Sequence, residues 1–407
     1  MRTGWMHRCR WTLAAAVAAV AVTSCVPNPS PEAASFTFQG GGYGHGVGMS
    51  QFGAKGRADA GQTAGQILAA YYPGARLATV GQPGVRVALG TVASLVVSGA
   101  ELYGGALGKG NVRLSSGTVT VTADGASQVW FTPAGGPATR ITGPGQAAVI
   151  DWVDGLQVSS PTFGHRYRYG RMVVHPSPGK VEVVLDELPM QRYLEGIGEV
   201  PSSWHSEALR AQAITARTFA AYRLAHPRSS RYDLVATTAD QNFIGDDKPS
   251  GAGGDRWVSA VASTNNQILV SGTQPIQAFY SSSNGGHSER SSYVFVADLP
   301  YFAATPDPYD AAGGANRNHT WTRQFTGEEL GRWLRAAGRP EVGAVTGLEV
   351  TGGTGASGRV DKATVLVRGS TGAWYTITGN QLRSAINARS GSARQLLSTK
   401  FTITPNP

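Results

Sequence analysis

The sequence predicts an α+β fold in which an antiparallel, strand-rich region precedes a region of mixed helices and strands. Between residues 83 and 185, short β-branched or alternating runs are separated by Gly, Pro, Asp and Ser turns, as expected for antiparallel strands. From residue 188 onward, stretches with helical spacing are interspersed with further strand-like runs. Because blocks of strands with interspersed helices are typical of α+β proteins, we expect this class.

The strands follow from short apolar runs between turn residues. Residues 36–74 predict one strand, a Gly-rich loop and one or two short helices. Further strands are predicted at residues 85–87, 94–98, 118–122, 129–132, 172–174, 181–185, 347–351, 363–367, 374–377 and 401–403. We therefore expect a Gly-His-rich segment at 36–74, a strand-rich region at 75–187 and a core with a C-terminal α/β region at 188–407.

The helices follow from spacing and capping signals. Residues 206–225 are rich in Ala, and their apolar side chains recur at helical spacing. A second helix is predicted at 327–337, because Thr326 is followed three residues later by Glu329, the pattern of a capping box. A short helix is predicted at 380–386.

The first residues predict export. Three arginines precede an apolar stretch at residues 13–22, which is too short to span a bilayer because a spanning helix needs about 20 residues. We interpret residues 1–24 as a signal peptide. Val22-Thr23-Ser24-Cys25 fits a lipobox, so Cys25 is a candidate for lipidation, with ordinary cleavage as the alternative. Residues 25–35 then form a tether, and the protein is expected in the cell envelope, on the outer face of the cytoplasmic membrane or secreted.

Cysteine content and charge limit the possible functions. The chain has only Cys9 and Cys25, so after processing it can form no internal disulfide and no thiolate metal site. Removing residues 1–24 takes away three arginines and no acids, which lowers the net charge from +9 to +6. A moderately basic exported protein suits acidic wall polymers and lipid head groups. Scattered Lys and Arg, together with export, argue against nucleic acid as a partner.

One carboxylate stands in a position suited to proton transfer. Glu199 lies in a Gly-Glu-Val-Pro loop immediately before the predicted helix at 206–225. Glycine on its N-terminal side lets the backbone approach a ligand closely. The alternative is that Glu199 stabilises the N-terminus of this helix through the helix dipole.

A second motif combines glycine with histidine. Six glycines occur between residues 40 and 48, and they surround His45, a side chain that can exchange a proton near neutral pH. Ser50 is placed to cap the following helix. A packed His45 satisfied by backbone groups is the alternative, and phosphate binding is disfavoured because no nucleotide-binding pattern accompanies the glycines.

Both motifs resemble signatures of the SpoIID/LytB family of cell-wall proteins, stage II sporulation protein D and its relatives. The run from Asp186 to Ala220 resembles the segment whose glutamate is the proposed acid of a peptidoglycan lytic transglycosylase. The segment from Gly40 to Ala54 resembles a motif that normally lies near the C-terminal end of proteins in this family. Its N-terminal position here implies a circular permutation in which the segment still docks beside Glu199.

Two further segments extend the resemblance. Residues 237–243 and 278–289 match family segments rich in hydroxyls, amides and glycine, groups that hydrogen-bond sugars. The resemblance implies a catalytic role for Glu199 and substrate-binding roles for His45, Ser50, Gln51, Arg217, Asp240, Gln241, Ser281, Ser282, Ser283, Gly285 and Gly286.

Alternatives for these residues are structural. Arg217 would be an ion-pair partner inside the fold, Asp240 and Gln241 would form a turn, and Ser281 to Ser283 would be turn or strand-end residues. Glu195 and Glu289 are candidates for a second carboxylate. Some family members hold zinc through His and Cys in the stretch that matches residues 279–292, but this chain has no Cys there. We therefore expect no metal and no cofactor.

The resemblance implies an exported enzyme that cleaves the bond between N-acetylmuramic acid and N-acetylglucosamine in peptidoglycan and leaves 1,6-anhydro ends. The alternative is a non-catalytic glycan-binding protein that enhances or recruits a wall amidase. In both cases the partners are glycan strands, a possible amidase, and the membrane only through an N-terminal lipid.

Overall fold

The computed structural model describes residues 34–81, 83–114 and 117–406. The signal peptide, Cys25 and nearly all of the tether lie outside these residues. The first region consists of a strand, the Gly-rich loop, a second short strand, two short helices and a third strand. Its elements are β1 (Ser35–Gly40), β2 (Met49–Ser50), α1 (Gln51–Asp59), α2 (Ala64–Tyr71) and β3 (Arg76–Thr79).

The strand-rich region contains more strands than the sequence predicts, because several are short or carry glycine. They are β4 (Gly84–Val92), β5 (Ser94–Ser98), β6 (Glu101–Ala106), β7 (Val112–Arg113), β8 (Thr118–Ala123), β9 (Val129–Pro133), β10 (Thr139–Arg140), β11 (Ala148–Val153), β12 (Leu156–Ser159), β13 (Arg166–Tyr167), β14 (Arg171–Ser177) and β15 (Lys180–Pro189).

The central region carries the long helix and the loops around it. Its elements are α3 (Met190–Glu195), α4 (Ser206–Ala225), β16 (Leu234–Val235), α5 (Gly254–Ser263), β17 (Gln267–Ser271), β18 (Gln274–Pro275), β19 (Tyr280–Ser281) and α6 (Ser291–Val294). Helix α4 has the predicted bounds, whereas α3 and α5 were not predicted.

The C-terminal region alternates strands with two capped helices. Its elements are β20 (Trp321–Thr326), α7 (Gly327–Ala336), β21 (Val345–Gly352), β22 (Thr364–Gly369), β23 (Trp374–Thr378), α8 (Gly379–Asn387) and β24 (Phe401–Asn406). Thr326 and Glu329 form the predicted capping box. Short 3₁₀ turns occur at Gly245–Asp247, Ala312–Gly314 and Ser392–Arg394.

Two large sheets form the strand-rich region. One has the order β10-β9-β8-β5-β12-β13, and the other has the order β16-β4-β15-β14-β11-β6-β7. Their pairs are antiparallel except for β16 with β4, and alternate residues of the strands enter one core that also includes residues of α3, α4 and α5. The mixture of antiparallel sheets and separate helices confirms the α+β class.

Helix α4 lies at the centre of the molecule. Leu209 and Ala216 belong to the core of the strand-rich region, whereas Ala208 and Ile214 belong to a second core. This second core contains apolar residues of α1 and α2, which cover the other face of α4. The N-terminal segment is therefore packed against the middle of the chain.

A third core lies between β1 and the C-terminal region. Strand β1 pairs antiparallel with β20 on one side and with β24 on the other. Phe36 and Phe38 point from β1 into a cluster that includes Phe325 and Phe401. The predicted boundaries at residues 74 and 187 stay predictions. Within the described residues, none of the helices is both long and apolar enough to traverse a lipid bilayer.

Candidate functional site

The loop that carries Glu199 is held by a second loop at residues 242–245. The Gly198 N–H donates to the Asn242 carbonyl at 2.8 Å, and the Asn242 N–H donates to Glu199 Oε1 at 2.6 Å. A Cβ on Gly198 would lie 2.8 Å from the Ile244 side chain, closer than real contacts allow. Glycine at this position leaves room for the Ile244 side chain where the two loops meet, and the Asn242 N–H holds the carboxylate.

A chain of hydrogen bonds reaches Glu199 from the protein interior. The Tyr193 hydroxyl donates to Gln241 Oε1 at 2.9 Å, and Gln241 Nε2 donates to the Tyr280 hydroxyl at 3.1 Å. The Tyr280 hydroxyl in turn donates to Glu199 Oε1 at 3.2 Å. Gln241, predicted to bind substrate, is fully buried and orients Tyr280 instead.

Burial raises the pKa of Glu199 above its ordinary value. Hydrogen bonds from the Asn242 N–H, the Tyr280 hydroxyl and the Gln51 side chain stabilise the carboxylate and oppose this effect, but burial is the larger influence. Gln51 opens α1, so the N-terminal segment contributes directly to the surroundings of Glu199. A carboxyl group with these properties can serve as a general acid and afterwards as a base.

His45 lies in the same cavity as a neutral imidazole. Its Nδ1 accepts a hydrogen bond from the Val47 N–H at 3.0 Å, and its ring packs edge-on against Phe279 and Phe295. Burial, with a smaller contribution from the Arg359 charge, lowers the pKa of His45 to about 4. His45 is therefore uncharged at neutral pH and can offer shape and hydrogen bonding but no positive charge.

The cavity around Glu199 has a volume of about 700 Å³, within the ~300–1,000 Å³ typical of ligand sites. Its wall brings together predicted site residues from four stretches that are far apart in sequence. These are His45, Gln51, Glu199, Asp240, Ser281 and Ser282.

Asp240 lines this cavity, but its carboxylate is already hydrogen-bonded to other groups of the protein. Its side chain is fully buried, and it accepts hydrogen bonds from Arg228 at 2.7 Å and from Arg223 at 3.2 Å. It also accepts from the Val235 N–H at 2.9 Å. Asp240 thus orients the two arginines, which line the cavity themselves. Neither Arg223 nor Arg228 was predicted from the sequence as a residue of this site.

Two predicted serines are structural instead. Ser50 caps α1 by accepting from the Gly53 N–H at 3.0 Å, and its hydroxyl donates to buried Asp310 at 2.6 Å. The Ser283 hydroxyl donates to the same Asp310 at 2.8 Å. Both serines are completely buried and neither borders the cavity. Their shared hydrogen bonds to Asp310 connect the start of α1 to the turn after β19.

Arg217 is also a structural residue, but not as an ion-pair partner. It is fully buried, and its guanidinium donates to the Val261 carbonyl at 3.1 Å and to the Gln267 carbonyl at 3.3 Å. Burial lowers its pKa to about 10. Arg217 therefore joins α4 to the end of α5 and to β17, away from the cavity.

Gly285 and Gly286 do not line the Glu199 cavity. Both have positive φ, and Gly285 packs against the backbone of Gly41, where any side chain would collide. Gly285 instead borders a second cavity, beside Gly40 and Gly41.

The two candidate second carboxylates lie elsewhere. Glu195 is buried and paired with Arg192 at 2.7 Å on α3 itself. Glu289 is buried and accepts from the Ser357 hydroxyl at 2.7 Å. Neither belongs to the wall of the Glu199 cavity.

In the stretch that matches the zinc-binding segment of some family members, His287 and Tyr280 both have partners within the protein. His287 Nδ1 faces the Ser288 carbonyl at 2.7 Å, and Tyr280 is hydrogen-bonded to Glu199. Across residues 34–81, 83–114 and 117–406, no group of three or more His, Cys, Asp or Glu side chains could hold a metal ion.

Comparison with known proteins places the Glu199 loop inside a recognised domain. Residues 179–270 match the family model SpoIID, described as "Stage II sporulation protein". The chain is 26% identical over 178 residues to "Stage II sporulation protein D" of Bacillus subtilis (strain 168), covering 40% of this chain and 51% of that protein. A protein of the same name from Bacillus amyloliquefaciens is 27% identical over 177 residues, with the same coverage.

A second kind of relative is similar over a shorter stretch. The "Amidase enhancer" of Bacillus subtilis (strain 168) is 33% identical over 143 residues, which cover 34% of this chain and 17% of that protein. The chain thus spans about half the length of the stage II sporulation proteins and a smaller part of the amidase enhancer. Residues 179–270, which contain the Glu199 loop, therefore carry a SpoIID domain, and the predicted resemblance to the SpoIID/LytB family is confirmed over this part of the chain.

Proposed function

We propose that this protein is an exported cell-wall enzyme that cleaves peptidoglycan glycan strands by lytic transglycosylation, with Glu199 as its acid and base. The observation that carries the proposal is a single available carboxyl group with a raised pKa in a cavity of about 700 Å³. Among the described residues that line this cavity, the other carboxylate, Asp240, is committed to two arginines.

A single carboxyl group is sufficient for this reaction. Protonated Glu199 donates its proton to the oxygen that links N-acetylmuramic acid to N-acetylglucosamine, and the bond from that oxygen to the muramoyl C1 breaks. The resulting carboxylate accepts the proton of the muramoyl 6-hydroxyl as that oxygen bonds to C1 and closes the 1,6-anhydro ring. No water enters, so the paired carboxylates of glycoside hydrolases are not needed.

The hydrogen bonds around Glu199 assign its proton to one oxygen. Oε1 accepts from both the Asn242 N–H and the Tyr280 hydroxyl, so the transferable proton sits on Oε2. The same two donors stabilise the carboxylate after the proton has left, which suits a group that must next act as a base. His45 and the serines at 281 and 282 are proposed to contact the sugar.

The second candidate function is a glycan-binding protein that enhances an amidase, and the similarity to the amidase enhancer favours it. Such a protein would use the same cavity for recognition without turnover. The raised pKa of Glu199 favours the enzyme, because a neutral sugar binder has no need for a buried acid.

Glu199→Gln distinguishes the two functions. The amide keeps the shape of the side chain but cannot donate the proton, so release of anhydro-ended fragments should fall by at least about 10²-fold. Mass spectrometry of products from intact and peptide-stripped peptidoglycan measures this release. Glu195→Gln, the same chemical change outside the cavity, is the matched control and should retain activity.

A folded Glu199→Gln protein that still releases fragments at more than about a tenth of the wild-type rate would refute the catalytic role. If the wild-type protein releases none and instead stimulates a wall amidase, the second function holds.

A further inference from the structure

A second cavity lies at one end of the sheet formed by β20, β1 and β24. Its volume is about 480 Å³, again within the ~300–1,000 Å³ typical of ligand sites. We call it the distal cavity and define it by Gln39, Gly41, Gly285, Thr322 and Thr402. The proposed mechanism makes no use of it.

Strand register sets three polar side chains of the distal cavity in one row. Gln39 on β1 pairs with Thr322 on β20 and with Thr402 on β24, so the three side chains point to the same face of the sheet. All three are exposed. An amide flanked by two hydroxyls can exchange hydrogen bonds with several hydroxyl groups of a ligand at once.

The rest of the wall fits a neutral or anionic polyhydroxylated ligand. Lys400 lines the cavity and donates to the Gly285 carbonyl at 2.6 Å, and Trp321 supplies an aromatic edge. Gly41 and Gly285 add no side chains to the wall and so keep this part of the cavity open. Of the described residues that form this wall, none is acidic, so a cationic ligand has no counter-charge there.

A short stretch of backbone connects the two cavities. Gly40 and Gly41 border the distal cavity, whereas Tyr43 and Gly44 border the Glu199 cavity. We call residues 40–44 the glycine ribbon. Because three residues span at most about 10 Å, the two walls are close neighbours. Tyr43 stands on the ribbon with 46% of its surface exposed.

We propose that the two cavities and Tyr43 form one extended path for a glycan strand, with the distal cavity as a second saccharide-binding site. This inference rests on the proposed function for its substrate class. A strand bound at Glu199 continues over the glycine ribbon, stacks one sugar ring on Tyr43 and places further sugars beside Gln39, Thr322 and Thr402. Long strands are then held more tightly than short ones.

The test measures binding separately from cleavage, in proteins that carry Glu199→Gln. Fluorescently labelled, peptide-stripped glycan strands are the probe, as a disaccharide and as a long-strand fraction. Thr322→Trp fills the distal cavity from an exposed strand position, where an aromatic residue is well tolerated. Gln324→Trp is the matched control, because Gln324 is exposed on the same face of β20 but outside the cavity. Tyr43→Ala removes the stacking ring, and Tyr43→Phe retains it.

The expected result is a higher affinity for long strands than for the disaccharide, which Thr322→Trp and Tyr43→Ala each reduce by about five- to tenfold. Gln324→Trp and Tyr43→Phe should keep the long-strand advantage, and thermal unfolding checks that every variant is folded. The extended path alone is overturned if Thr322→Trp leaves the affinity for long strands unchanged. It is also overturned if the parent Glu199→Gln protein binds long strands no more tightly than the disaccharide. Failure of the parent to bind any strand overturns the proposed substrate class as well.

Discussion

The chemistry of Glu199 is set by a few individual contacts. Burial favours its neutral form, and the donors on Oε1 favour its charged form. Acid catalysis needs the proton, so activity should be present below the raised pKa of Glu199 and lost as the pH rises through it. Tyr280 is a donor that mutation can remove without changing the backbone.

Tyr280→Phe should move the pH profile in a defined direction. Loss of the hydroxyl removes one stabilising bond to the carboxylate, so the pKa of Glu199 rises further and the alkaline limb of kcat moves to higher pH. The rate itself should fall by about tenfold, because the Tyr280 hydroxyl no longer stabilises the carboxylate that forms when Glu199 donates its proton. A pH profile of anhydro-fragment release measures both effects. An alkaline limb that moves to lower pH would contradict this account.

The proposed membrane location also depends on a single residue, Cys25. If it is lipidated, Cys25→Ser should move the protein from the membrane fraction to the soluble exported fraction, since stable anchoring depends on the attached acyl chains. Fractionation and immunodetection measure the shift. A wild-type protein found entirely in the medium would leave ordinary secretion as the explanation.

Helix α4 shows how an element can be correctly located from sequence while one of its side chains is misinterpreted. The spacing of apolar residues predicts its bounds, but small residues on every side leave open which faces are covered. Packing of α1 and α2 buries the second face, whereas packing of α5 and β17 against α4 places Arg217 among the carbonyls of those two elements.

Arg217→Ala should therefore lower stability without changing the chemistry of the site. Losing two hydrogen bonds to buried carbonyls and leaving a cavity should cost about 2–4 kcal/mol of unfolding free energy. Denaturant unfolding measures this loss. Arg210→Ala, on the half-exposed side of the same helix, is the control and should cost less than about 1 kcal/mol. A stable Arg217→Ala protein with weakened glycan binding would restore the substrate-binding interpretation.

At the scale of the whole molecule, strand β1 joins the N-terminal segment to the C-terminal region by pairing with β20 and with the last strand, β24. Ser35 lies opposite Asn406 in the antiparallel pair of β1 and β24, the arrangement of two strands that a short turn can connect. The circular permutation stays a prediction, and this pairing makes it testable with little change to the fold.

A rearranged chain provides the test. Residues 34–81 are moved to follow residue 406 through a short Gly/Ser linker of about 2–5 residues, so that the new chain begins after Gly81. A Cβ on Gly81 would meet no other atom, so the cut disturbs no packing. This protein should unfold cooperatively and keep much of its activity, as circular dichroism and fragment release would show.

Deleting residues 34–81 without reattachment is the comparison, and it should abolish cooperative unfolding because one face of α4 loses its cover. A rearranged chain that behaves like the deletion would show that the order of segments matters and would contradict the permutation.

Sequence patterns alone determined the α+β class, the bounds of α4, the capping box at Thr326 and the Glu199 loop. These depend on spacing, capping and a motif within a few residues, and local sequence contains such information. The patterns also suggested that His45 and Gln51 accompany Glu199, but only through resemblance.

Tertiary structure alone decided which polar residues face the cavity. Ser50, Ser283 and Arg217 carry the groups expected of sugar ligands, yet buried partners from distant segments satisfy them. Tyr280 acts through its contact with Glu199, 81 positions away in the chain. The physical reason is that a hydrogen-bonding side chain can serve a ligand or the fold, and only the packing of remote elements determines which of the two it meets.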